Sequence, residues 1–214
     1  MTLKKSILLI ILILLIDQIS KIYIKTHFVL HDNINVFGLE WFQIYFVENE
    51  GMAWGAKIPG EYGKLFLTLF RLAAIVGIGY WLWKSVKEKI SKVLTLAISF
   101  IFAGAFGNII DSVFYGLIFN NSHGQVASFM SDEGGYGSLF YGKVVDMLYF
   151  PMWTGELPSW IPFWGGEYFT FFEPVFNVAD FSISVGVGML LVFHKKAFPK
   201  KEIEVPKDAS PNTD

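Results

Sequence analysis

Long apolar runs alternate along this chain with polar, aromatic-rich stretches, and the runs share one length. They fall at about 7–24, 65–83, 93–114 and 175–193. Each is close to the roughly 20 residues that a helix rising about 1.5 Å per residue needs to cross a hydrocarbon core about 30 Å thick. The pattern predicts a membrane all-α bundle of four transmembrane helices. Lys4 and Lys5 precede the first run in the manner of a signal peptide, but no small-residue cleavage site follows. Asp17-Gln18-Ile19-Ser20-Lys21 continues the helical run instead, so it reads as a retained span.

Two long outer segments, 28–63 and 118–174, separate the spans. In the first, residues 34–47 are rich in β-branched and aromatic types and are broken by Gly38, which predicts a short hairpin or small sheet. The second is rich in Gly and aromatics, with Trp153, Trp160 and Trp164 close to prolines. Such residues favour the headgroup zone, so these loops are expected to rest on the bilayer surface. Residues 1–198 read as one domain. The polar stretch 199–214, with Pro199, Pro206 and Pro211, reads as a disordered tail. No internal repeat is evident.

Composition sharpens the class. Of the 214 residues 53% are hydrophobic and only 17% charged, with a mean hydropathy of +0.46; a soluble domain carries about 25% charged residues. A net charge of −2 excludes a basic nucleic-acid-binding surface as the main business. The lack of cysteine excludes a disulfide, a thiolate nucleophile, an iron–sulfur cluster and Cys-ligated zinc. His27, His31, His123 and His194 are scattered outside any H-E-x-x-H pattern, so neither metal nor cofactor is implied.

Charge also sets an orientation. Of the 17 Lys and Arg, 11 lie at Lys4/Lys5, in the 84–92 turn or between Lys195 and Lys207. Segments 28–63 and 118–176 hold only Lys57 and Lys143 against 11 acidic residues. The positive-inside rule therefore predicts that both termini and the 84–92 turn are cytoplasmic.

The few ionisable residues inside the spans carry the functional information, because a charge in hydrocarbon costs at least about 2.5–3.5 kcal/mol on insertion scales. Asp17 and Lys21 stand four apart on one helix face and read as a structural ion pair. Arg71, about two turns into the second span, either reaches the headgroups or holds a carboxylate or phosphate. Gly107-Asn108-Ile109-Ile110-Asp111 and Phe176-Asn177-Val178-Ala179-Asp180 each put an Asn three residues before an Asp. Helical rise places Asp111 roughly 27 Å and Asp180 roughly 20 Å from the cytoplasmic ends of their spans. Ala103 with Gly107, and Ser182 with Gly186, are small residues that allow close helix approach. Asp146, in an apolar part of the outer loop, is able to fold back to the same level. Two carboxylates a few ångströms apart share a proton; one then activates water while the other polarises a carbonyl, which is peptide hydrolysis without metal. The same motifs also serve as interhelical hydrogen-bond clamps, and the spacing does not choose between these readings.

The ordered blocks Asp17-Gln18-x-x-Lys21, Asn49-x-Gly51-x-Ala53-Trp54-Gly55, Gly107-Asn108-x-x-Asp111, Val144-Val145-Asp146 and Phe176-Asn177-x-Ala179-Asp180 resemble the lipoprotein signal peptidase (signal peptidase II) family over about residues 12–190. The resemblance implies a four-helix aspartic endopeptidase of the bacterial inner membrane with a small periplasmic β-structure. It implies cleavage of diacylglyceryl prolipoproteins on the N-terminal side of the lipidated cysteine, near the periplasmic face, and sensitivity to globomycin-type inhibitors. It also implies a dyad of Asp146 and Asp180. Asn49, Gly51, Asn108, Asp111, Asn177 and Ala179 become supporting or substrate-binding positions. Membrane lipid is an expected partner, and nothing in the sequence demands more than a monomer.

Two departures stand out. The family usually carries Arg directly after the Asp of its Gly-Asn-x-x-Asp block, where this chain has Ser112; Arg71 is the candidate to supply that charge. The 34 positions between Asp111 and Asp146, and the 33 between Asp146 and Asp180, exceed the usual spacing. The extra residues, 118–141 and 151–172, are expected to form a lid or a surface platform. The competing readings are a small proton-coupled transporter or lipid-binding module, and a structural subunit that uses its polar motifs as helix glue.

Overall fold

The computed structural model describes residues 1–50, 59, 60, 62–132 and 134–199, so the tail expected from 199 onward lies almost wholly outside the described residues. Helix α1, Leu3–His27, is capped by Thr2, whose side chain accepts from the Lys5 amide. Its buried residues, Ser6, Ile10, Ile13, Asp17, Lys21, Ile24 and Lys25, recur every three or four positions and so form one stripe. The opposite face is apolar, with Leu8 68% and Ile19 65% exposed. This inverts the soluble pattern: the polar residues are inside and the aliphatic ones face out, as lipid requires.

Helix α2, Gly63–Lys87, is followed by a short turn to Ser91, which caps helix α3, Lys92–Ile110, by accepting from the Val93 and Leu94 amides. α3 is the central helix, in contact with α1, α2 and helix α5, Val178–Val192. Among the described residues three helical stretches, Leu3–His27, Gly63–Lys87 and Lys92–Ile118, are long and apolar enough to cross a membrane. The fourth apolar run behaves differently from the expectation. Its first residues are not helical, because Phe176 bridges to Leu148 and Asn177 caps the helix, leaving α5 with 15 residues. At about 1.5 Å per residue this spans roughly 22 Å.

α5 lies against α3 at backbone distance. A Cβ on Gly104 would stand 2.1 Å from the Ala179 carbonyl oxygen, and one on Gly186 would stand 2.6 Å from that of Ala97. Neither position has room for a side chain, so the two helices pack through their backbones. The Ser182 hydroxyl adds a cross-helix bond to the Phe100 carbonyl at 2.8 Å. Gly186 and Ser182 lie at this seam as expected, and so does Gly107, where a Cβ would stand 3.3 Å from that of Ala179; the tightest approach on α3 falls at Gly104, beside the buried Ala103.

Past Ile110 the helix widens into a π turn, Asp111–Tyr115, and ends in α4, Gly116–Ile118. The outer loop satisfies this turn: Phe140 and Gly142 donate their amides to the Val113 and Ser112 carbonyls at 3.0 and 2.9 Å. Three strands, β1 (Asn33–Asn35), β2 (Gln43–Asn49) and β3 (Val144–Tyr149), form an antiparallel sheet in that order. The hairpin expected in 34–47 is therefore present as β1 and β2. β3 joins it from far along the chain, with Val47 opposite Asp146 and Asn49 opposite Val144. The insert 151–172 forms a second sheet, the hairpin β4 (Trp153–Glu156) and β5 (Tyr168–Phe171), which exposes Trp160 and Phe163 near its tip.

Candidate active site

One buried ammonium organises the interior. The Lys21 Nζ lies 2.9 Å from Asp17 Oδ2, 2.9 Å from Asp111 Oδ2 and 2.8 Å from Asn108 Oδ1, so its three protons meet three acceptors. Asp17, Lys21 and Asp111 are all wholly buried. Gln18 closes the group from the side, donating to Asp111 Oδ1 at 2.9 Å and accepting from the Tyr115 hydroxyl at 3.1 Å. Gly107 makes room for it, since a Cβ there would lie 2.6 Å from Asp17 Oδ2.

The carboxylates of this group also reach the backbone of two other elements. Asp17 Oδ1 accepts the Ala179 amide at 2.9 Å, one of the first-turn amides of α5 that have no partner within their own helix. Asp111 Oδ2 accepts the Val145 amide of β3 at 3.3 Å. The two backbones held this way carry Asp180, one residue beyond Ala179, and Asp146, one residue beyond Val145. The Asp17–Lys21 pair of the sequence reading is thus part of a triad that positions both other acids.

Asn177 bridges Asp146 and Asp180. Its Nδ2 donates to Asp146 Oδ1 at 2.7 Å and its backbone amide to Asp180 Oδ2 at 3.3 Å, while its Oδ1 accepts the Asp180 amide at 2.9 Å. The last two bonds form a reciprocal capping box at the start of α5. Asn108 Nδ2 donates to Asp180 Oδ1 at 2.8 Å, and Asn49 Nδ2 donates to Asp146 Oδ2 at 3.2 Å. The amide orientations are dictated by their neighbours. Lys21 can only donate, so the Asn108 oxygen must face it and the Asn108 NH2 must face Asp180.

Asp146 is 3% exposed, whereas Asp180, Asn108 and Asn49 are half-buried and leave the pair open on one side. Burial pushes the Asp146 carboxyl up to about 7, and the negative charge of Asp180 adds to the effect against the bonds from Asn49 and Asn177. Near neutrality Asp146 is therefore poised between donor and acceptor, which suits acid–base work.

Arg71 projects from α2. With Asn108 and Ile183 it lines a cavity of about 130 Å³, and its buried Nη1 has no hydrogen-bond partner among the described residues. Ser112, where the family's Arg would stand, turns inward and donates to the Asn108 carbonyl at 2.9 Å. Gly51, the remaining expected position, lies outside the described residues.

A second buried ion cluster was absent from the sequence reading. Glu48 of β2 pairs with Lys25, accepts from Ser122 at 3.0 Å and lies 3.4 Å from Lys143. Burial alone would raise the Glu48 carboxyl, but the Lys25 ammonium beside it holds it below the usual range. The cluster ties α1 to β2 and to the 118–141 loop, beside Asn49. A signal existed for half of it: Lys25 continues the Asp17–Lys21 stripe by one more turn. Glu48 gave none, since its partners are remote in sequence.

The chain as a whole is similar to known proteins. A family model described as Signal peptidase (SPase) II matches residues 9–195. A lipoprotein signal peptidase of Porphyromonas gingivalis is 50% identical over 189 residues, covering 88% of this chain and 81% of the relative. Another, from Amoebophilus asiaticus, is 37% identical over 196 residues, covering 90% and 78%. A solved bacterial membrane enzyme superposes with a TM-score of 0.60 at 24% identity over 95% of each chain, a likeness of fold. The match over nearly all of the apolar bundle, and not the carboxylate geometry alone, makes this chain a member of the signal peptidase II family, and so a multi-pass membrane protease.

Proposed function

We propose that the chain is an intramembrane aspartic endopeptidase that removes signal peptides from diacylglyceryl-modified prolipoproteins, cutting N-terminal to the lipidated cysteine. The observation that carries this reading is the bridge of Asn177 between Asp146 and Asp180, with Asn49 and Asn108 on their outer oxygens. In the reaction one carboxylate takes a proton from water as the water oxygen bonds to the scissile carbonyl carbon. The protonated partner, a role that its burial favours for Asp146, donates to the carbonyl oxygen. A proton then passes to the leaving nitrogen and the C–N bond breaks, leaving a carboxylate on the signal peptide and a free amine on the lipidated cysteine.

The wider setting follows from charge and packing. Residues 1–198 are read as one peptidase domain with α5 as a fourth, short span, in a bacterial inner membrane, with both termini cytoplasmic and the dyad near the periplasmic face. The chain acts as a monomer in this reading, and membrane lipid accommodates the substrate's acyl chains. Membership in a protease family favours this over the transporter and scaffold readings. Purified protein is expected to cleave a diacylglyceryl-modified precursor and to be inhibited by globomycin; equal cleavage of the unmodified precursor would contradict the lipid requirement.

Arg71 fills the place of the charge missing at Ser112 in this account, because its Nη1 has no partner among the described residues and it shares a cavity with Asn108, which donates to Asp180. Arg71→Ala is expected to lower kcat/KM by about tenfold to a hundredfold, the scale of one lost charge-assisted hydrogen bond to the reacting substrate. Full activity in a purified assay would refute that role.

The pH profile gives a separate check. The raised value means that Asp146 keeps its proton below about 7 and loses it above. If that proton is the one donated, kcat is retained below this pH and falls as pH rises through it. A rate that climbs steadily through the same range would reverse the assignment of acid and base.

A further inference from the structure

At the end of the bundle opposite the aspartates, a cavity of about 600 Å³ opens among the first turns of α1 and α3 and the last turn of α2. Helical rise from Asp17 back to Thr2, and from Asp111 back to Lys92, puts it roughly 22–28 Å from the dyad's supporting triad. Lys5, Lys89 and Lys92 line its wall, and no acidic side chain does so among the described residues. The capped N-termini of two long helices, at Thr2 and Ser91, border it and add their positive ends. Lys89 occupies the turn with φ 49, a left-handed conformation that favours Gly or Asn, yet a lysine stands there.

Ser85 supplies an independent sign of a ligand. It is wholly buried on α2, it lines this cavity, and its Oγ has no hydrogen-bond partner among the described residues. A buried hydroxyl without a partner is rare in a native interior, so such a group calls for an acceptor that fills the space beside it.

We infer that this cavity binds a phosphate-bearing anion, and that the anion is the headgroup of an acidic phospholipid. The lysines and helix ends neutralise the phosphate, the Ser85 hydroxyl donates to one of its oxygens, and Met1 and Leu96 add apolar surface to the wall. Leu3 and Ile7, exposed on the first turns of α1, continue lipid-facing surface at the same level. A zwitterionic headgroup would bring its own cation against the lysines and bind less well.

The test uses the full chain, purified in a neutral detergent and titrated with phosphatidylglycerol, phosphatidylcholine or inorganic phosphate, with bound lipid read by native mass spectrometry. Binding is read without cleavage, so the outcome is independent of the peptidase reading. Phosphatidylglycerol is expected to bind about tenfold tighter than phosphatidylcholine, and Lys89→Asn with Lys92→Gln to remove that preference. Ser85→Leu, which replaces the hydroxyl with apolar bulk in the wall without changing charge, is expected to do the same while cleavage activity is retained. If Ser85→Leu does not fold, Ser85→Ala takes its place, with an expected loss of about threefold or more for one hydrogen bond. Unchanged phosphatidylglycerol binding in the Ser85 variant would reveal diffuse surface attraction and overturn the site. Saturation by inorganic phosphate, with no gain from acyl chains, would overturn the lipid as its source.

Discussion

Asp146→Asn and Asp180→Asn should each reduce signal-peptide cleavage by about a thousandfold or more, with little change in the melting temperature of the purified protein. The expectation of intact folding comes from what the two side chains contact. Asp146 accepts from Asn49 and Asn177, and Asp180 accepts from Asn108 and the Asn177 amide. An amide oxygen can take over one such bond at each position, so the local network is weakened and not emptied. What Asn cannot do is carry or accept the proton. The effects should also be strongly non-additive: once either acid is gone the pair no longer works as a unit, and the double variant should be scarcely slower than either single one. Two independent losses that multiplied would indicate separate roles and contradict a dyad.

Lys21→Met should be the most destabilising single substitution in the interior. It removes the ammonium that meets Asp17, Asp111 and Asn108, and leaves two wholly buried carboxylates without their counter-ion. Breaking a buried pair from one side costs about 3–5 kcal/mol, because an uncompensated charge remains. The expected measurement is a large fall in the thermal unfolding midpoint in detergent. The neutral triple variant Asp17→Asn, Lys21→Met, Asp111→Asn should recover much of that loss, since its isosteric groups no longer bury net charge. Activity should return in part with stability, because an amide oxygen at positions 17 and 111 can still accept the Ala179 and Val145 amides that set the places of Asp180 and Asp146. A Lys21→Met protein as stable as the parent would show that the triad is not a structural centre.

The parts of this molecule that were legible in the sequence are those with local causes. The long apolar runs announced α1, α2 and α3, because hydrocarbon crossing sets one length and one composition. The Asn-x-x-Asp spacing announced a shared helix face, and in α5 it is realised as the capping box of Asn177 and Asp180. Asp146 had no such local signal. Its place depends on β3 pairing with β2 from nearly a hundred residues away and on the bridge from Leu148 to Phe176, so only the motif resemblance singled it out. The same bridge explains why the fourth helix starts later than hydropathy suggests: Phe176 pairs with Leu148 of β3, and the helix begins only after Asn177 caps it. The partnership of Lys25 with Glu48, and the π turn closed by Phe140 and Gly142, were hidden for the same reason. Both rest on a loop folding back over the bundle.

The triad and the dyad together suggest a division of labour among the few charges the bundle retains. Asp17, Lys21 and Asp111 are spent on position, and their mutual compensation makes them tolerable in an apolar interior. Asp146 and Asp180 accept from the neutral amides of Asn49, Asn108 and Asn177 among the described residues, and in the proposed reaction they are the pair that moves the proton. The extra hairpin of β4 and β5, with Trp160 and Phe163 exposed, lies outside both groups.

The most direct measurement is the mass of the products when the purified chain is incubated with a diacylglyceryl-modified preprolipoprotein, in parallel with its Asp180→Asn variant. The account predicts a single new amino terminus, the lipidated cysteine, from the parent chain and uncleaved substrate from the folded variant. Intact substrate with a well-folded parent chain, or the same new terminus from both proteins, would contradict it.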